Sequence, residues 1–508
     1  MGREESFKPR SKRFFRFPDE SVPEAVLDRE FKIAKTRFPV EYGDEQWAKP
    51  GTRPDWVSMR YAIRMVEDLN PNLVEPSMFL GAWEIEREAI SMLADVLNHP
   101  LYLHEEHDPS KNPPFGWFTP SGTSSMLQAT WSLRNKYFNQ LESAMNRDFD
   151  ITKERGTVRE EGLLGLVRKG LLDIEKPPVV LAPVDMHFAG DKSMDVLGFG
   201  AESIVRYDLT ANYTTDYMAL ENTVKKLQDQ GRDVMFAIVT AGAVDTGRVE
   251  DVGEFDRTLK KVGCDVPIIV DAAQQYMMLA MLPEQYHKWD FRVPGVEAIV
   301  IDPHKTDATP YPGSVVLFRD KLIAHHTKND NGYLHLDDEL DYDMKRTWQL
   351  MPQFPTSRSP IGAISTWAHL ARNGRKKLVA KYQEMFDLTK MLFDNIKQSN
   401  YFEVICEPQT GIIPFHVRGM DDRKARELYH LFESCNEEPR FYISFADCVR
   451  LRTTEDFQTY AEMKKSKPGE KVEGFGGLYI QVMHHANEAL AEKLFERLES
   501  FGAQVYNL

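Results

Sequence analysis

Cysteine is scarce in this chain of 508 residues: Cys264, Cys406, Cys435 and Cys448 are the four present. Their spacing suits neither a disulfide framework nor a metal cluster, so reduced thiols in a cytoplasmic protein are expected, with no metal. No apolar run is long enough to span a bilayer. The first residues, MGREESFKPRSKRFFRF, are basic without an apolar core and do not read as a secretory signal. No internal repeat is visible. Positive charge is also in deficit, with 63 Lys and Arg against 78 Asp and Glu and a formal net charge of −15. This argues against nucleic acid and anionic membranes as partners, although a local basic pocket can survive in an acidic protein. What is present is ordinary globular material. Hydrophobic residues make up 42% and charged residues 28%, and the length suffices for two or three packed units.

The most informative stretch runs from Ala298 to Arg319, AIVIDPHKTDATPYPGSVVLFR. Ala298–Ile301 and Ser314–Phe318 are short apolar runs of the kind buried on both faces of a sheet. Between them lie Asp302, Pro303, His304 and Lys305, then Pro310-Tyr311-Pro312-Gly313. A lysine in a rigid turn beside buried strands is desolvated, which lowers its pKa. A Schiff-base lysine needs that, because only the neutral amine attacks a carbonyl. A solvated loop lysine beside a histidine is the other reading of the dipeptide alone.

Asp302-Pro303-His304-Lys305 resembles the lysine motif of the pyridoxal-phosphate-dependent group II amino acid decarboxylases, a fold-type I family. Tyr311-Pro312-Gly313 looks most like the microbial tyrosine decarboxylases. Matched motifs cover roughly residues 75–370. The resemblance implies pyridoxal 5′-phosphate bound at Lys305, an amino acid substrate, and a homodimer with shared active sites.

Four further stretches fit that implication. Gly122 and Thr123 follow a small-residue turn and open a helix reaching about Phe138. Free N–H groups and a hydroxyl at a helix start make an anion site, and the family holds its cofactor phosphate there. An N-capped surface helix is the plain alternative. Here Ser121 replaces the usual first glycine, and Ser124 and Met126 stand where an acidic residue and an asparagine are common. His187, just past the strand Val179–Ala182, matches the family histidine that stacks on the cofactor ring and touches the substrate; by itself it reads as a core histidine. Ala189 replaces the usual serine. Thr240, at the end of the strand Val234–Val239, matches a threonine-rich turn with Gly242 and Gly247, whereas Ala243 and Val244 replace its polar pair. Asp271 closes the strand Val266–Val270. An ionised aspartate there is costly unless paired, and a protonated pyridine nitrogen is the partner the chemistry supplies. Capping the next helix is its other reading. The small Ala273 leaves room for a flat ring.

Strands alternate with helices from about 115 to 320, which predicts an α/β fold with a mostly parallel central sheet and helices on both faces. The expected organisation is an N-terminal arm and dimerisation segment at 1–80, a large cofactor-binding domain at 81–370 and a smaller α/β domain at 371–508. Residues 1–50 read as an extended arm, with helices at Arg60–Leu69 and Phe79–Leu97. Asp320–Met344 reads as a mobile lid. In the family, a stretch like Ser357-Arg358 reaches the cofactor phosphate of the partner subunit. Tyr311 matches a tyrosine implicated in protonating the substrate carbon; a packed aromatic in a proline-framed turn is the alternative. His484 and His485 border the pocket or form a surface turn. The expected reaction is decarboxylation of an aromatic, tyrosine-like L-amino acid to its amine and CO2. An acidic or branched aliphatic substrate, or carbon–carbon cleavage, is the alternative.

Overall fold

The computed structural model describes residues 24–35, 54–74, 78–103, 113–329, 352–466 except 436 and 438, 472–483 and 486–506. Strands β1 (Phe115–Thr119), β2 (Val179–Pro183), β3 (Ile204–Tyr207), β4 (Val234–Thr240), β5 (Ile268–Asp271), β6 (Val296–Ile301) and β7 (Ser314–Phe318) form a seven-stranded sheet of order β1-β7-β6-β5-β4-β2-β3. The five strands from β6 to β3 are mutually parallel, β7 runs antiparallel to them, and the edge strand β1, antiparallel to β7, returns to their direction. The apolar runs follow from burial on both faces. Alternate residues point to opposite sides, so Leu181, Val239, Val270 and Ile299 enter one apolar cluster while Val180, Ile238, Ile269 and Val300 enter another. Helix α3 (Leu80–Val96) contributes Ala89 and Leu93 to the first, and α4 (Gly122–Met145) contributes Ala129 and Leu133 to the second.

A second sheet, antiparallel and of order β10-β11-β9-β8, is built from β8 (Phe402–Val404), β9 (Ile412–Val417), β10 (Ser444–Ala446) and β11 (Gly477–Gln481). Helix α8 (Ile361–Gln398) leads into it and breaks at Gly374, whose φ of 65° is left-handed. Its apolar residues Leu392 and Ile396 join Phe402, Phe415 and Leu494 in the same cluster that covers the large sheet.

Several expectations are corrected. The N-terminal stretch is not wholly extended, since α1 spans Glu24–Lys35. Helix α2 runs Trp56–Leu69, four residues longer than expected at its start, because Asp55 caps it by accepting from the Val57 N–H. Strands β1, β3 and β10 went unread. β1 hides in an aromatic stretch, Phe-Gly-Trp-Phe-Thr, and β3 and β10 have only four and three residues. The segment after Arg319 is packed at first. Lys321–His326 is a 3-10 turn that buries Ile323 and Ala324, and Lys328 is buried with its Nζ donating to the carbonyls of Ile151 and Thr152. The rest of the expected lid, with Tyr333 and Tyr342, lies outside the described residues, as do His484 and His485.

Candidate active site

The parallel strands all end on one side, and the loops there carry the chemistry. Asp271 is the last residue of β5, Thr240 the last of β4, and the two are register partners. His187 follows β2 directly. Lys305 sits in a short helical turn, Pro303–Thr306, after β6. Gly122 and Thr123 open α4 after β1, capped by Ser121, whose Oγ accepts from the Ser124 N–H at 3.3 Å. Together with Ala273 and His304, these residues line one cavity of about 660 Å³.

The expected residues Tyr311 and Ser357 do not line it. Tyr311 is 62% exposed, and its ring lies 3.9 Å from that of His304, centroid to centroid. Ser357 is exposed and accepts from Asn72 Nδ2 at 3.0 Å. Its neighbour Arg358 is buried in an ion pair with Glu86 and donates to the Phe118 carbonyl.

Electrostatics revise the picture of the lysine. Burial alone would lower its proton affinity, but Asp302 Oδ2 stands 2.9 Å from Lys305 Nζ, and Asp271 adds to it. The carboxylates outweigh desolvation and hold the ammonium above its ordinary range, opposite to the expected direction. Asp271 is itself raised. Its burial is the largest influence and exceeds the opposing pull of His187 and Lys305. Burial lowers both His187 and His304. His187 Nδ1 accepts from the Ala189 N–H at 3.2 Å, which leaves the ring proton of the neutral form on Nε2.

These residues fit pyridoxal phosphate. Asp271 is buried, and the hydrogen bond it accepts is from the Ala273 N–H at 3.2 Å, so its carboxyl still calls for a positively charged donor. Thr240 Oγ1 and His304 Nδ1 are buried without hydrogen-bond partners among the described residues. A Cβ at Gly122 would stand 2.7 Å from Asp302 Oδ2, so the helix start stays open only because that residue is glycine.

Sequence reasoning missed the ionic frame around the site. Arg248 is fully buried and grips Asp185 with two bonds of 2.6 and 2.7 Å while reaching Glu250 at 3.0 Å. Arg206 pairs with Asp191 at 2.6 Å. Asp302 was visible but given no role. Its spacing of three residues from Lys305 on a helical turn was the available signal.

Fold and cavity define an α/β protein of the fold-type I pyridoxal-phosphate class. Residues 170–418 match the pyridoxal-dependent decarboxylase conserved domain. A probable L-tyrosine/L-aspartate decarboxylase of Methanococcus maripaludis is 23% identical over 384 residues, 74% of this chain and 80% of that one. An L-aspartate decarboxylase of Thermococcus kodakarensis is 25% identical, covering 70% of this chain and 76% of its own. The crystal structure of Oryza sativa TDC with PLP and tryptamine superimposes with a TM-score of 0.73 at 17% identity, covering 96% of this chain and 90% of that one. The matched domain, these relatives and the shared fold together support a pyridoxal-phosphate-dependent amino acid decarboxylase of the group II kind.

Proposed function

We propose that the chain converts an aromatic, tyrosine-like L-amino acid to its amine and CO2. The observation that carries this is the gathering of Lys305, Asp271 and His187 in one cavity at the strand ends. Pyridoxal phosphate, when bound, supplies a protonated pyridine ring that accepts the electron pair left by departing CO2. Lys305 would be its covalent anchor, and Asp271 would keep a proton on the ring nitrogen. His187 would stack on the ring, Ala273 would leave room for it, and Thr240 and His304 would supply polar contacts. Gly122 and Thr123 would hold the phosphate with N–H and hydroxyl groups, and Ser357 would reach the phosphate of a partner subunit. Tyr311 would return a proton to the substrate carbon.

The aromatic assignment rests on the lining and its charges. Phe188, Phe457 and Tyr460 line the cavity. The lining cations are already spoken for, Arg206 by Asp191 and Lys305 by Asp302. A side-chain carboxylate therefore finds no spare cation among the described residues that line the cavity. The same reading takes residues 1–80 as an arm, 81–370 as the large domain and 371–508 as the small one, in a cytoplasmic homodimer. Exposed Leu27 and Phe31 on α1, and Trp56 and Tyr61 on α2, support a partner surface.

The test is release of labelled CO2 from 1-13C amino acids with added pyridoxal phosphate. Tyrosine or tryptophan should exceed aspartate, glutamate and leucine. Preference for aspartate would replace the aromatic reading with the acidic one. Loss of the side chain without labelled CO2 would indicate a carbon–carbon lyase. An active monomer in sedimentation would refute the shared site.

A further inference from the structure

We infer that Asp302 is a positioning residue for cofactor loading: its carboxylate stands at the start of α4 and holds Lys305 until a phosphate group takes its place. This rests on the reading of Lys305 as the anchor. Two contacts fix the carboxylate: Lys305 Nζ lies 2.9 Å from Oδ2, and Ser314 Oγ donates to Oδ1 at 2.5 Å. Its closeness to Gly122 is shown by the space there, since an added Cβ would stand 2.7 Å from Oδ2. Asp302 thus lies against the first residue of a helix of 24 residues, where exposed N–H groups favour an anion. The cradle expected for the phosphate already faces a carboxylate.

Two consequences follow. The first concerns the amine. Attachment joins Nζ to the aldehyde carbon of pyridoxal phosphate and releases one water. It needs the nitrogen lone pair, so the ammonium proton must first pass to solvent. Asp302 is the strongest charge opposing that loss, and Asp271 from β5 acts in the same direction. His304 of the turn lies 3.6 Å from Asp302 Oδ2; His187 after β2, Tyr276 of the short helix after β5 and Tyr311 also act within this centre. The second consequence concerns the phosphate, which meets a like charge on arrival. Asp302 therefore slows loading by holding the lysine protonated and weakens the preference for a phosphorylated aldehyde.

The experiment compares wild type with Asp302→Asn, which can still accept from Ser314. Uptake of pyridoxal phosphate and of unphosphorylated pyridoxal is followed by visible absorbance over a pH series, and the bound form is trapped with borohydride and located by peptide mass. Asp302→Asn should attach pyridoxal phosphate about tenfold faster at neutral pH, with the midpoint of the rate profile moved about one unit lower. Its preference for the phosphorylated aldehyde should rise severalfold. Wild-type rate, midpoint and preference in the variant would overturn the inference. If Asp302→Asn does not fold, Asp302→Ser is read by the same criteria. Trapping at a lysine other than Lys305 would instead refute the anchor.

Discussion

Thr240 and Asp271 are register partners on adjacent parallel strands, each the last residue of its strand. The pairing puts a hydroxyl without a partner beside a buried carboxyl on the floor of the cavity. Both side chains line the cavity, where a flat heteroaromatic ring carrying a proton would satisfy the acid.

The sharpest test of that floor is Asp271→Asn. The amide keeps the size and the Ala273 contact but cannot hold a proton on the ring nitrogen. Turnover should fall by roughly a thousandfold or more while the protein still binds cofactor. Lys305→Ala should differ, losing the borohydride-trappable form and turnover together. Near-normal turnover of Asp271→Asn at full cofactor occupancy would rule out the ring-nitrogen role.

Much of this was legible in the sequence because strand ends concentrate chemistry. Apolar runs of four to six residues, each followed at once or within a few residues by polar ones, marked β2, β4, β5 and β6 and placed His187, Thr240, Asp271 and Lys305 in one crevice. The balance of forces on Lys305 was not legible. Desolvation can be read from neighbouring apolar runs, but the opposing pull of Asp302 depends on side-chain geometry within one helical turn. The partner of Arg358 was not legible for a similar reason. Its partner Glu86 is 272 positions away and lies on a helix that packs against the large sheet.

The ionic frame should matter for stability. Arg248 is buried with Asp185 and Glu250, and the latter also accepts from Thr215 Oγ1 at 2.5 Å and Tyr217 OH at 3.1 Å. Arg248→Met strands the buried Glu250 carboxylate and the half-buried one of Asp185. The cost should be about 3–5 kcal/mol, the usual result of breaking a buried pair from one side. It should appear as a lower denaturant midpoint of the cofactor-loaded protein, and Asp185→Asn added to Arg248→Met should recover part of the loss. An unchanged midpoint would show that water or rearrangement compensates.

Asp307 gives the fold a pH dependence. It is buried beneath the Lys305 turn and accepts from the hydroxyls of Tyr276 and Tyr382, the latter at 2.7 Å. Burial pushes its carboxyl up to about 6 from an ordinary 3.8. The folded chain therefore holds the proton more tightly than the unfolded chain. The associated stability is fully present below about pH 4 and is lost as pH rises through about 6. A shift of this size corresponds to about 3 kcal/mol. Asp307→Asn should flatten the decline of melting temperature across that window. The decline should not vanish, because Asp245, raised to about 6 by burial, titrates in the same range. A wild-type slope in the variant would remove Asp307 from the account.

Tyr311 is the residue for which sequence and structure pull apart. The sequence singled it out as proton donor to the substrate carbon, yet it is 62% exposed and touches the cavity through the ring of His304. A proton from its hydroxyl must reach the carbon along His304 or after a movement of the Pro310–Gly313 turn. Tyr311→Phe keeps the stacked ring and removes the hydroxyl. A general acid contributes about 10²–10⁴-fold, so amine formation should fall by that order with cofactor binding intact. A carbanion that waits for its proton is exposed to oxygen, so some flux should divert to aldehyde, ammonia and peroxide. The rivals are Tyr333 and Tyr342, outside the described residues, in the segment expected to close over the site. Parallel phenylalanine variants, scored by amine yield and peroxide, separate the three. A silent Tyr311→Phe beside a crippled Tyr333→Phe would move the donor to that segment and leave Tyr311 as packing for His304.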